Sequence, residues 1–320
     1  MGVIDQSFFV PLGGLDQWIS IRGDDRRNPV LLVVHGGPGE AQWPQAAHYR
    51  SWEESFIVVQ WDQRGAGHTY GRHGAKTPDM TLDRISKDGV ELADYLCRTL
   101  SREKIIVLGH SWGSIIAVSM VQRRPELFAA YVGTGMVGSW KGAIKVKYDL
   151  VLAKLRADGD AASVKQLEAS GPPDPNDAKK VFAFNDRVYP LWAPSDAAWI
   201  KSLRADAPRL RAAYPKDFKD FEEGFRFSVD KAVPDQIATD LLATASRFGT
   251  AFFVIQGRDD VITPTKDAVD YFNHVTAPYK KLVLIPNAGH FAFLTEPTAF
   301  LEALIKEVRP VAIERAAIAR

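Results

Sequence analysis

The apolar positions of this chain follow two unlike patterns. Residues 29–34 read Pro-Val-Leu-Leu-Val-Val and residues 56–60 read Phe-Ile-Val-Val-Gln. Continuous apolar runs of this length suit strands covered on both faces, as in parallel sheets. Residues 104–108, 128–133, 250–257 and 281–285 repeat the pattern. Between these runs the spacing turns helical: around 44–54, over 82–100, 114–123 and 266–273, and roughly over 297–308. Thr81 is placed to cap the 82–100 helix, with Asp83 in its first turn. Strand and helix alternating in this way predict a doubly wound, mostly parallel α/β sheet. Upstream, residues 8–11 and 16–22 flank Gly13-Gly14 and predict a hairpin at the sheet edge.

Residues 139–245 break this rhythm. No β-branched run occurs there, and helical segments over 141–158, 161–169, 178–188 and 197–203 are separated by turns such as Gly171-Pro172-Pro173. Aromatics are dense in this stretch, among them Trp140, Tyr148, Phe182, Phe184, Trp192, Trp199 and Phe221. They suit the core of a helical layer, and equally the inner face of a lid over an apolar pocket. The expected organisation is a core from 1–138 and 246–320, with a helical cap inserted at 139–245.

Composition changes this picture little. The chain has 320 residues, long enough for one large α/β unit with an insertion. Lys and Arg total 40 against 39 Asp and Glu, so no basic footprint points to nucleic acid or an anionic membrane. The single cysteine, Cys97, cannot form an internal disulfide and is expected to pack as a small hydrophobe on the 82–100 helix. Met1-Gly2-Val3-Ile4-Asp5 shows no secretory pattern, and a cytoplasmic location is expected. No histidine, cysteine and carboxylate cluster has metal-ligand spacing, so no metal is expected.

The strand ends carry the chemistry. Gly109-His110-Ser111-Trp112-Gly113 lies between a predicted strand and a predicted helix. This is the setting in which a serine on a tight turn serves as a nucleophile. Such a hydroxyl needs a general base, and the base needs an orienting carboxylate. In this arrangement the chain order is serine, acid, histidine. His290 ends the last strand's loop, and Asp260 in Gly257-Arg258-Asp259-Asp260 is the expected acid, with Asp259 the alternative. A tetrahedral oxyanion needs preorganised N–H donors. Trp112, which follows the serine, is one candidate. Gly37 in His35-Gly36-Gly37-Pro38-Gly39 is the other, since Pro38 has no N–H. His35 is expected to make structural hydrogen bonds, and His110 to point away from the nucleophile.

Those motifs, together with Trp61-Asp62-Gln63-Arg64-Gly65 and Ala288-Gly289-His290, resemble the proline iminopeptidase family of α/β-hydrolases. The resemblance spans roughly 30–137 and 250–308. It implies a helical cap, no cofactor, and release of an N-terminal residue from small peptides or amides. It also implies cap carboxylates that hold the substrate's free amine, for which Glu222, Glu223 and Asp196 are the candidates. The chain departs from the family where His110 replaces a common glycine and where the Asp-Gln-Arg-Gly loop continues Ala66-Gly67-His68-Thr69. An esterase, lactonase or amidase acting on a small apolar substrate is the alternative.

Overall fold

The computed structural model describes residues 2–317, without the side chains of residues 178, 179, 182 and 317; Met1, residues 318–320 and the side chain of Phe182 thus lie outside the described residues. Strands β1 (Ile4–Leu12) and β2 (Leu15–Gly23) form the expected antiparallel hairpin. They are followed by β3 (Val30–Val34), β4 (Ile57–Trp61), β5 (Ile105–His110), β6 (Phe128–Thr134), β7 (Ala251–Gly257) and β8 (Lys280–Ile285). All join one sheet in the order β1-β2-β4-β3-β5-β6-β7-β8, parallel from β4 to β8. Every residue of β3, β4, β5, β6 and β7 is buried, as their unbroken apolar runs require.

The chain moves from β3 outward to β4, then returns to the other side of β3 to lay down β5. The loops after β3 and β5 therefore diverge and leave a crevice at the carboxyl ends of the strands, where open α/β sheets place their sites. Val34 pairs with Gly109, and His110 with Thr134, so three loops begin at one level.

Helices α1 (Gly67–His73), α2 (Leu82–Thr99) and α3 (Trp112–Arg123) follow in the first half. Thr81 caps α2, its hydroxyl accepting the Arg84 N–H. Cys97 is buried on that helix. Residues 43–52 form a 3₁₀ rather than an α-helix, and α1 was not anticipated.

Among the described residues no sheet strand occurs between β6 and β7. That interval holds α4 (Trp140–Ala157), α5 (Ala161–Ser170), α6 (Ala178–Val188), α7 (Pro194–Ala213), α8 (Pro215–Ala238) and α9 (Leu241–Thr244). Its two ends are tied together: Ser139 and Asp240 form a β-bridge, and Leu241 N–H donates to Gly138 O. Helices α7 and α8 run through Pro208 and Pro234 and extend well beyond the expected 197–203 segment. A proline removes one helical hydrogen bond and reads as a breaker; around Pro234 the buried Ala232, Val233, Gln236 and Ile237 hold α8 together, whereas the stretch around Pro208 is mostly exposed.

The last elements are α10 (Thr265–His274), α11 (Ala292–Thr295), α12 (Pro297–Ala303) and α13 (Arg309–Ala317), with a π-turn at Leu304–Val308. The wider turn falls where Pro310 offers no N–H to the preceding turn. Two apolar clusters cover the sheet faces, one centred on α2 and α3 and the other on Trp52, Phe293 and Phe300. A third, smaller cluster of Val151, Leu152, Leu167, Phe184 and Val188 lies within the insertion.

Candidate active site

Ser111 sits between β5 and α3 with φ 53° and ψ −120°, a region that side chains other than glycine rarely adopt. Such strain costs roughly 1–3 kcal/mol and persists only where the surroundings enforce it. Here they do. A Cβ on Gly109 would come within 2.4 Å of Gly113 O, and one on Gly113 within 2.0 Å of Val34 O, so strand and helix close tightly around the serine. Ser111 N–H donates to Thr134 O at 2.9 Å, and its carbonyl accepts from the Ser114 N–H and hydroxyl at 2.8 and 2.6 Å. The backbone of the serine is held on both sides.

The His35–Gly39 loop lies against this turn. A Cβ on Gly36 would approach Ser111 Cβ to 3.2 Å and His110 Nδ1 to 2.9 Å. Gly37 has φ 112°, which places its peptide where an alanine would be strained. The Asp-Gln-Arg-Gly segment explains how loop and turn are kept in register. Gln63 donates through Nε2 to His35 O at 2.9 Å, and its Oε1 accepts from Trp112 Nε1 at 3.2 Å. Gln63 N–H donates to His35 Nε2 at 3.2 Å, so that nitrogen is unprotonated and Nδ1–H donates to Gly36 O at 2.9 Å. Burial keeps His35 neutral, consistent with this tautomer.

His290 Nδ1 is 3.0 Å from Asp260 Oδ2. A carboxylate can only accept, so Nδ1 carries the proton and Nε2 is left unprotonated. Asp260 is itself held by four further donors: Ile262 N–H, Thr263 N–H, Gln256 Nε2 and the Thr263 hydroxyl. It is buried, while Asp259 beside it is exposed. Burial alone would push the His290 imidazole down. The Asp260 charge and hydrogen bond, with Asp196 and Glu40 beyond them, outweigh burial and raise it above its ordinary value.

The His110 ring packs against the His290 loop. Its ring lies 4.7 Å from the His290 ring, and Nε2–H donates to the His290 carbonyl at 3.2 Å. Burial and the neighbouring His290 charge hold it neutral. It props the His290 loop from below, a role the motif's variable position did not reveal.

The three carboxylates expected to hold a substrate amine are engaged elsewhere. Asp196, near the start of α7, is buried and accepts from His290 N–H at 2.6 Å and Phe291 N–H at 3.3 Å. It is the point where the insertion grips the histidine loop, because those two N–H groups have no strand partner. Glu222 pairs with Arg211 at 2.8 Å, and Glu223 lies 3.9 Å from Lys219, both on half-exposed faces of α8. Sequence reasoning passed over two further ionisable groups whose charge is felt in the His290–Asp260 pair. Glu40 directly follows the glycine loop and is half-buried beside His290. Lys147 on α4 is buried with Asn185 Oδ1 at 3.3 Å and its ammonium over the Trp140 ring, and burial lowers it to about 8. Desolvation of an ionisable group could have been sought only with the tertiary structure in hand.

A cleft of about 830 Å³ opens at the opposite edge of the sheet, lined by Arg26, Cys97, Arg102 and Arg309. Arg102 and Arg309 donate there to backbone carbonyls, among them Asn28 O and Ser55 O, and no titratable pair resembling the one at His290 lines it. Among the described residues no group of histidine, cysteine and carboxylate could hold a metal ion, and no helix is long and apolar enough to cross a membrane.

A serine on a strained strand–helix turn and an imidazole–carboxylate pair at neighbouring strand ends, on this sheet order, define an α/β-hydrolase. The family model Hydrolase_4, serine aminopeptidase S33, matches residues 25–298, and the chain belongs to that family of hydrolases. It is 27% identical over 312 residues to the probable aminopeptidase YbaC of Bacillus subtilis (strain 168), covering 93% of this chain and 94% of that one. It is 25% identical over 319 residues to a probable proline iminopeptidase of Streptomyces coelicolor, covering 90% of each. Among solved structures, the proline iminopeptidase of Mycobacterium smegmatis matches with a TM-score of 0.64 at 20% identity, covering 98% of this chain and 100% of that one.

Proposed function

We propose that the protein is an aminopeptidase of the proline iminopeptidase kind, releasing an N-terminal residue from small peptides or amides through an acyl-enzyme. Ser111 Oγ attacks the scissile carbonyl as its proton passes to His290 Nε2. The new C–O bond makes a tetrahedral oxyanion, which accepts from the N–H groups of Trp112 and Gly37. The C–N bond then breaks, and the imidazolium returns the proton to the leaving amine. Water, deprotonated by the same nitrogen, hydrolyses the ester and frees the acid. Asp260 keeps the imidazole in the required tautomer throughout. The helical insertion serves as a cap over the crevice.

The observation that supports this reading is the strained Ser111 turn and the His290–Asp260 pair, each after a strand of the same parallel sheet, in a chain that aligns over nine-tenths of its length with relatives named as aminopeptidases. One observation favours a second reading, a carboxylesterase or amidase: Asp196, Glu222 and Glu223 are all engaged by other groups. Purified protein assayed with proline and alanine β-naphthylamides and with p-nitrophenyl butyrate separates the two. Release of naphthylamine that disappears in Ser111→Ala is expected. Ester cleavage without any amide release would overturn the peptidase reading in favour of the esterase.

A further inference from the structure

The loop that carries the proposed oxyanion donor Gly37 also carries an unused charge. Glu40 N–H donates to Gly36 O at 3.1 Å, closing residues 36–40 into a turn. A Cβ on Gly37 would lie 3.4 Å from Glu40 Cβ, so the glutamate side chain leaves the turn beside that glycine. Two ionisable neighbours bracket it. It contributes to raising His290, and, after burial, to raising the Tyr49 phenol. Among the described residues its carboxylate makes no hydrogen bond or ion pair, and His290 is the one charged group whose field lowers it. Desolvation otherwise dominates and brings it to about 6, so near neutral pH it is mostly ionised.

A half-buried carboxylate without a partner is costly to keep. At this position it carries a second penalty. It stands beside the place where the oxyanion develops, and two negative charges in a poorly solvated site repel. A substrate that brings its own cation removes both penalties. The α-ammonium of an N-terminal residue is two bonds from the scissile carbonyl carbon. When that carbonyl oxygen faces Gly37 N–H, the ammonium is held within a few bond lengths of the same loop. We infer that Glu40 is the specificity-determining residue that binds the substrate's α-ammonium and disfavours acyl groups lacking one. This rests on the aminopeptidase reading above and moves amine recognition from the insertion to the loop after β3. The discrimination has an attractive part and a repulsive part, as strong specificity commonly does.

The test uses one scissile bond with and without the cation: alanine methyl ester and N-acetylalanine methyl ester, followed by titration of released acid near neutral pH. The wild type is expected to favour the free-amine ester in kcat/KM. Glu40→Gln is expected to shrink that preference by about ten- to a hundredfold, the range for losing a charged hydrogen-bonded contact. Part of the change comes from faster turnover of the acetylated ester. An unchanged preference in a Glu40→Gln protein that still melts cooperatively and still reacts with a fluorophosphonate probe overturns the inference. So does a wild type that favours the acetylated ester. Should Glu40→Gln not fold, Glu40→Asp keeps the charge but withdraws it by one methylene, and must lower the preference severalfold; no change there also overturns it. Alanine β-naphthylamide keeps the two proposals apart. Loss of the ester preference in Glu40→Gln with no amide ever cleaved leaves Glu40 assigned and removes the peptidase. Amide cleavage with a preference indifferent to Glu40 does the reverse.

Discussion

The strand ends and the helical insertion treat their charged groups in opposite ways. At the strand ends, Glu40 apart, the charges are buried and take several partners each. Asp260 takes five donors, Asp62 accepts from the His68 backbone and ring, and Arg64 meets Asp88 at 2.8 Å with both side chains almost fully enclosed. In the insertion, charges mostly pair locally along their own helices, at i,i+3 or i,i+4 positions such as Lys145–Asp149 and Lys154–Asp158. Such pairs contribute little to stability and are readily exchanged. Polar contacts that fasten the insertion to the core include Asp196 to the His290 loop, Ser139 N–H to Asp267, Ser228 Oγ to Gly65 O at 2.8 Å, and Asp235 to Leu82 N–H at 2.7 Å. Geometry needed to a fraction of an ångström is kept where Asp260, Asp62 and Arg64 each take several partners. The insertion can change its exposed face without disturbing that geometry.

Breaking the strand-end side should have the largest effect. Asp260→Asn preserves the shape but not the tautomer preference of His290, and kcat/KM is expected to fall by roughly 10³–10⁴ in steady-state assays. The pH profile gives an independent reading. In the wild type, burial opposes and the carboxylates overcome, so His290 titrates above 6.5 and activity is lost as pH falls through that raised value. Without the Asp260 charge, burial prevails, and the acid limb of the residual activity should move to lower pH. An unmoved limb would mean that another group sets it.

Arg64→Met tests the same region by stability alone. It leaves Asp88 buried with fewer partners, and urea unfolding should show a loss of about 3–5 kcal/mol. Next comes the contact between the two regions. Asp196→Ala strands the N–H groups of His290 and Phe291, and is expected to cost about 1–3 kcal/mol of stability. A kcat/KM loss of roughly tenfold should accompany it, since small displacements at a reacting centre are felt strongly. The smallest effect belongs to the exposed face of the insertion. Glu222→Gln with Glu223→Gln should leave stability within about 0.5 kcal/mol and turnover within about twofold. A large loss of amine substrates in that double variant would return amine recognition to α8.

Much of this arrangement was legible before any coordinates. The unbroken apolar runs of β3 to β7, the Thr81 cap and the Gly13-Gly14 hairpin turn are local signals, and each led to the observed element. Ser111, Asp260 and His290 were singled out because each follows a strand, and parallel strands bring their carboxyl ends to one edge. The misreadings share a cause. Helices α7 and α8 hide behind Pro208 and Pro234, and at Pro234 the cost is offset by packing that no local window contains. Asp196 was read as a candidate ligand, whereas its partners are backbone groups 94 and 95 residues away. Gln63 appeared only as a motif letter, although it joins His35 to Trp112.

The sequence by itself determined the fold class and the chemical kind of each strand-end residue, because periodicity and backbone permissiveness are short-range properties. Gly109 and Gly113 around Ser111 announce a tight turn whatever surrounds it. What only the tertiary structure decided is which charges are free. Whether a carboxylate is engaged or waiting depends on the donors that distant segments bring to it. That difference separates Asp196, bound by two N–H groups, from Glu40, bound by none among the described residues.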